Sequence, residues 1–496
     1  MGFSDLGCFG GEIATPNLDR LAANGQTYTQ FSNTARCCPS RACMLTGLHP
    51  HQTGIGHMTN VPANPKSYDK GLYGYRGFLN RNCVTMAEAL RLAGYHTYMS
   101  GKWHLGMHAP DQLPNQRGFE QFYGIYAGAC NYLRPTHPRG LWRNNDPVEP
   151  KAPFYSTDAF TDAAIEMIEN QKDSAPFFLY LAYNAPHWPL QAPPEDVARY
   201  RGKYLAGWDR LREERYRRLV EKGIVPRKGC ALSPRDPQVR AWDTLNSAQK
   251  DEMDLRMATY AAQVDRMDQN VGRLTRFLRE SGREENTVLL FLSDNGGCAE
   301  GGELGHGAPE QINSPDIEGL MVSYGRAWAN LSNTPYRLYK HYVHQGGIAT
   351  PFIAYWPKGV QAGTRVDWPA YLPDLMPTVL ELAGADYPRQ MEGRAIPPLE
   401  GQSLAPWFQQ PDRRMERTMF WEHEENCAVR RGNYKALQRY DTGEWELYDL
   451  DADRSELHNI AGEHPETMRA LSEEWHAWAD THHVVPKPSP DQWEHP

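Results

Sequence analysis

Two uninterrupted apolar runs, Phe177-Phe178-Leu179-Tyr180-Leu181-Ala182 and Thr287-Val288-Leu289-Leu290-Phe291-Leu292, constrain this chain more than any other feature. A strand with one wet face alternates polar and apolar residues. These two do not, so both of their faces are covered, as in parallel sheets packed between helices. Helical patterns stand between such runs. Thr15-Pro16 opens one, with Thr15 as N-cap, and Asn24-Gly25 closes it. Residues 85–93 form another, capped by Gly94, and residues 159–170 a third. Val264, Met267, Val271, Leu274 and Leu278 make one apolar stripe along a long helix. Residues 372–382, closed by Gly384, complete the set. The expected fold is α/β, a large mostly parallel sheet sandwiched by helices.

Beyond the Gly- and Pro-rich stretch 384–403 the texture changes. Short β-like runs at 418–422, 434–438 and 445–448 precede a last helix over 464–478, which reads as a smaller α+β domain with an antiparallel sheet. The predicted domains are therefore 1–384 and 385–496. The charge-rich stretch 199–250 reads as a surface excursion, and the Gly-rich stretch 301–336 as a loop.

Polar clusters end the apolar runs. Tyr95-His96-Thr97-Tyr98-Met99 empties into Gly101-Lys102-Trp103-His104, the run ending at Ala182 into Asn184-Ala185-Pro186-His187, and the run ending at Leu292 into Ser293-Asp294-Asn295-Gly296. Open α/β sheets bind ligands beyond these carboxyl ends, so the clusters predict one composite site. A further segment, Cys37-Cys38-Pro39-Ser40-Arg41-Ala42-Cys43-Met44-Leu45-Thr46-Gly47, follows an extended run over 26–31 and puts a thiol at a helix N-terminus. There the thiolate is favoured and anions are welcome, and Arg41 adds a positive charge one turn on. Taken singly, Lys102 and Lys340 read as solvated charges, His104 and His187 as packed imidazoles, and Asp294-Asn295-Gly296 as a turn.

Composition narrows the partners. With 52 basic and 61 acidic side chains the net charge is −9 and no basic run exists, which argues against nucleic acid. No apolar run is long enough for a membrane span. Nine cysteines without regular spacing point to a reducing, cytoplasmic setting rather than a disulfide framework.

Residues 37–47 resemble, position by position, the motif of formylglycine-dependent type I sulfatases: Cys, any residue, Pro, Ser, Arg, three variable, Leu, Thr, Gly. The likeness extends over nearly the whole chain and is greatest to bacterial arylsulfatases of the Pseudomonas type. It is carried by Gly101-Lys102-Trp103-His104-Leu105-Gly106, Pro186-His187, Ser293-Asp294-Asn295-Gly296, Asn333-Thr334-Pro335-Tyr336-Arg337 with Lys340, and Trp445-Glu446-Leu447-Tyr448-Asp449-Leu450. The resemblance implies an alkaline phosphatase-like fold and hydrolysis of aryl, and alkyl, sulfate esters. It implies that a formylglycine-generating enzyme converts Cys37 to formylglycine (3-oxoalanine), whose hydrate attacks the ester sulfur. By the same resemblance Arg41 orients that hydrate, Lys102 and Lys340 hold sulfate oxygens, His104 is the base, and His187 assists the leaving group. Asp294, Asn295 and the Cys37-derived hydrate would ligate one Ca²⁺.

Two departures accompany the likeness. The family carries an apolar strand ending in Asp-Asp just before the stretch matching Met1 to Gly7, which implies a truncated N-terminus and an incomplete metal site. Gln345 stands where the family commonly has Glu. The alternatives are a non-catalytic relative lacking metal, or a phosphoesterase of the same superfamily. Loops 48–64 and 319–332 are the expected specificity loops, and His344 is an expected pocket residue. The other histidines, including His49, His51, His57 and His341, read as structural.

Overall fold

The computed structural model describes residues 1–59, 71–316 and 321–485. Residues 60–64 and 319–320 of the two expected specificity loops lie outside the described residues.

The long apolar runs become strands at Phe177–Ala182 and Leu289–Leu292. The first sits at one edge of a five-stranded sheet, beside His96–Lys102, which pairs in parallel with it and with Gln121–Ile125. Leu141–Arg143 and Asp146–Val148 extend this sheet as an antiparallel ribbon. The second run lies at the edge of a four-stranded sheet, pairing with Phe352–Tyr355, which in turn pairs with Gln26–Tyr28. The two edge strands face each other across a cavity of about 760 Å³ that both line. It runs up to Arg41, Lys102, His187 and Asp294 at the carboxyl ends of the strands.

Helices cover both faces. On one, Ser156–Glu169 and Ser247–Glu280 bury Phe160, Met167, Ile168, Leu274 and Leu278 against Tyr98 and Tyr123. The predicted stripe from Val264 to Leu278 is buried throughout. On the other face, Cys37–Thr46, Met86–Leu92 and Leu375–Ala383 share one core through Leu45, Leu90, Met376 and Leu380. Thr85 caps its helix by a capping box with Glu88, with bonds of 3.0 and 2.7 Å.

Four-stranded antiparallel pairing of Thr418–His423, Asn426–Arg431, Tyr434–Gln438 and Trp445–Asp449 forms the C-terminal sheet, and Pro465–Thr481 packs on it through Leu471 and Trp475. Its other face meets the main body through Trp421, Ala428 and Leu437 against Ala35, Ile348 and Tyr371.

Several local expectations change. The helix Pro16–Asn24 forms, but Thr15 does not cap it with its side chain; its Oγ1 accepts from Gly7 N and donates to Asp19. The extended run 26–31 divides into Gln26–Tyr28 and Phe31–Ser32, which belong to different sheets. The stretch 199–250 is not merely superficial. Its helix Trp208–Glu221 buries Trp208, Leu219 and Arg215, and Arg215 bonds Asp5 at 2.7 Å and Glu12 at 2.7 and 2.8 Å. A charged helix folds inward here because that buried arginine is fully paired. Within the Gly-rich stretch 301–336, Gly325–Ser332 is helical.

Candidate active site

Cys37 is the first residue of the Cys37–Thr46 helix, follows Arg36 in extended backbone, and is only 1% exposed. Gly47 ends the helix at φ 67°, the left-handed cap position. The sulfur atoms of Cys37 and Cys38 and a His104 ring nitrogen lie within 4.8 Å of one another. A hydrogen bond from the Cys38 thiol draws the Cys37 thiol well below its ordinary range against burial, and the Lys102 charge adds to this. Burial pushes the Cys38 thiol up instead.

Arg41 lies one turn further on and is almost fully buried. Its Nη1 donates to Lys102 O at 2.6 Å and to the Tyr180 hydroxyl at 3.1 Å, while Nε and Nη2 donate to Asp294. Lys102 is the last residue of His96–Lys102, and burial lowers its ammonium pKa. Gly101 precedes it at φ 113°, where a Cβ would sit 2.1 Å from Ala182 O, so only glycine lets the neighbouring strand pass. His104 holds φ 59°, its Nδ1 is buried without a partner, and burial depresses its pKa to about 4. It is therefore neutral at physiological pH.

His187 is flanked by the cis peptides Ala185–Pro186 and Trp188–Pro189. Its Nδ1 lies 2.9 Å from Trp188 O, a carbonyl that only accepts, so Nδ1 carries the proton. Nε2 then offers a lone pair 3.4 Å from Lys340 Nζ. Burial and the Lys340 charge hold His187 well below the ordinary histidine range. Lys340 shows the opposite shift: although burial opposes it, Cys298 at 3.8 Å and Glu300 at 3.0 Å keep its ammonium charged.

The structure thus brings Cys37, Arg41, Lys102, His104, His187, Asp294, Asn295 and Lys340 to one end of the strands. His344 does not join them. It is buried 3.6 Å from Glu446, and its charged neighbours are Glu446, Glu456, Arg337 and Lys435. Three participants escaped the sequence reading. Glu300 pairs with Lys340 and, at 3.3 Å, with Arg36, and accepts from Trp188 Nε1 at 2.7 Å. Arg36 directly precedes Cys37, and that position was its only available signal. Tyr180 belongs to an apolar run, where its hydroxyl gives no hint of Arg41.

Asp294 and Asn295 follow the strand Leu289–Leu292. Asn295 Nδ2 donates to Gly296 O at 2.8 Å, and its Oδ1 is buried with no partner. An orphaned carbonyl oxygen beside a carboxylate fits a hard, oxygen-ligated cation. These side chains supply two of the six or more oxygens that such an ion takes.

The sulfatase family model matches residues 1–385, and the model of the N-sulphoglucosamine sulphohydrolase C-terminal region matches residues 336–478. The chain belongs to the sulfatase family. It is 34% identical to an uncharacterized sulfatase of Schizosaccharomyces pombe over 98% of this chain and 93% of that one. It is also 34% identical to the arylsulfatase of Klebsiella aerogenes, over 82% of this chain and 89% of the relative. Among solved structures it matches Ps i-CgsB, determined in complex with k-i-k-neocarrahexaose, with a TM-score of 0.70 and 26% identity over 98% of this chain and 92% of that one. The family assigns this sulfatase to the sulfuric ester hydrolases, which generally use formylglycine and a divalent metal.

Proposed function

We propose that this sulfatase hydrolyses aryl sulfate esters, and alkyl ones, at the Cys37 helix terminus. The observation that carries the reading is the convergence of Arg41, Lys102 and Lys340 with two neutral imidazoles around a buried Cys37. Once oxidised to formylglycine, Cys37 supplies as its hydrate the oxygen nucleophile for sulfate transfer. Lys102 and Lys340 hold the sulfate oxygens and stabilise their growing charge. His104, neutral at working pH, takes a proton from the Cys37 position. His187 and the Lys340 ammonium behind it stand on the leaving-group side, where the positive charge of Lys340 offsets the charge that develops on the departing oxygen. Arg41 fixes the geometry by bonding Lys102 O and Asp294 together. Asp294 and Asn295 would hold a Ca²⁺ ion, which supplies positive charge beside the nucleophile.

Cys37 is buried in the folded chain, so a formylglycine-generating enzyme has to reach the segment before the helix docks. The test is co-expression with that enzyme. The Cys37 peptide should then react with hydrazides, and nitrophenyl sulfate should be cleaved; Cys37→Ala should lose both. Equal turnover with an intact thiol at Cys37 would overturn the reading.

A further inference from the structure

The tip of the Thr418–His423 and Asn426–Arg431 hairpin carries groups that the sulfatase reaction does not use. Ring nitrogens of His341 and His423 and a carboxylate oxygen of Glu424 lie within 4.8 Å of one another. Glu424 and Glu425 form the turn at φ 48° and 66°, and His341 holds φ 95°. His341 Nδ1 pairs with Glu424, and Glu424 also stands 3.5 Å from His423 Nε2.

His423 is fully buried, and neither of its ring nitrogens makes a hydrogen bond. Asn426 is equally buried; its Oδ1 is unpartnered, and its Nδ2 lies 3.4 Å from His341 Nε2. Leaving such groups unsatisfied is costly, so a buried imidazole with no hydrogen bond at either nitrogen calls for a ligand. Two imidazoles and one carboxylate are the donor set of borderline transition ions, not of Ca²⁺. The nearby Arg36 charge opposes a cation, but Arg36 is itself paired with Glu300.

We propose that His341, His423 and Glu424 form a second metal site, for a divalent transition ion of the Zn²⁺ type. The ion joins the segment after Lys340 to the C-terminal hairpin, near Arg36, the residue before Cys37. It is distinct from the oxygen-donor pair Asp294–Asn295.

Co²⁺ is the probe, titrated into chelator-treated Cys37→Ala protein in saturating Ca²⁺, with visible ligand-field bands and thermal melting as readouts. The altered Cys37 background weakens the competing Cys37–Cys38–His104 cluster. Bands without thiolate charge transfer and a rise in melting temperature are expected. Both should weaken at least about 100-fold in affinity, roughly 2.7 kcal/mol, in His423→Ala and in Glu424→Gln. Glu424 lies in the turn, so the Glu424→Gln fold should survive even where His423→Ala repacks the core. A third cluster, His49–Glu400–His482, is the control. If His482→Gln removes the bands, if Glu424→Gln leaves them unchanged, or if no bands form, the proposal falls.

Discussion

Both Nε and Nη2 of Arg41 donate to a single oxygen of Asp294, Oδ2, at 3.0 and 2.8 Å. One carboxylate oxygen thus anchors the guanidinium, which pulls Asp294 below the usual carboxylate range against the effect of burial. Lysine cannot make this forked contact while also reaching Lys102 O and Tyr180. Arg41→Lys should lower kcat/KM for nitrophenyl sulfate about 10²–10³-fold in formylglycine-bearing protein. Steady-state kinetics checks this, and a loss of less than about fivefold would refute the assigned role.

Gly128 packs against the His104 imidazole. A Cβ there would lie 2.5 Å from Cε1 and 2.7 Å from Nε2, closer than any side chain tolerates, so His104 would have to move. Gly128→Ala should cost about 10²-fold in kcat, because a base displaced by an ångström loses its alignment. The melting temperature should change little. Full activity in the variant would remove His104 from the reaction.

Glu300 neutralises two cations, Lys340 at 3.0 Å and Arg36 at 3.3 Å. Glu300→Gln keeps the acceptor for Trp188 Nε1 and removes the charge. Sulfate, as product, should then bind about tenfold more tightly, a change of ~1.4 kcal/mol. Competitive inhibition by sulfate measures it directly. An inhibition constant that stays the same or rises would show that Glu300 lies outside the anion's field.

His49 offers a pH signature away from the chemistry. It is buried beside Trp478 and His482, and burial depresses its pKa from 6.5 to about 3. The unfolded chain takes up this proton near 6.5 and the native chain does not. Native stability is therefore fully present above that value and is lost as pH falls through the window from 6.5 towards 3. The slope is about 1.4 kcal/mol per pH unit for one such group. Denaturant unfolding of wild type and His49→Asn at neutral and acid pH should show the gap between them closing as pH falls. A constant gap would contradict it.

Much of this was legible in sequence because it is local. The run from Phe177 to Ala182 is apolar at every position, and it is a strand with those bounds. The segment from Cys37 to Gly47 carries its helix, its cap and its arginine within eleven residues. What stayed hidden depends on partners far away in the chain. Arg215 looks like any surface arginine until Asp5 and Glu12 meet it. Glu300 sits in a Gly-rich loop whose composition says nothing of Lys340. The strand Asn426–Arg431 buries Arg430 and ends in charges, a pattern closer to a loop than to an inner strand. His341 and His423 stand on either side of the strand Phe352–Tyr355 and the helix Leu375–Ala383, so no spacing rule links them.

The cavity between Phe177–Ala182 and Leu289–Leu292 bears on mechanics as much as on shape. Lys102, His104 and His187 ride on the five-stranded sheet, whereas Asp294, Asn295 and Lys340 ride on the four-stranded one. No ladder of strand pairing ties these two slabs together among the described residues. Arg41 does, gripping Lys102 and Tyr180 on one side and Asp294 on the other. The proposed catalytic groups therefore come from two strand systems whose seam is crossed by side chains: Arg41, the Trp188–Glu300 hydrogen bond and the His187–Lys340 contact. Whatever stiffens that seam sets how sharply the nucleophile and the anion cradle stay in register.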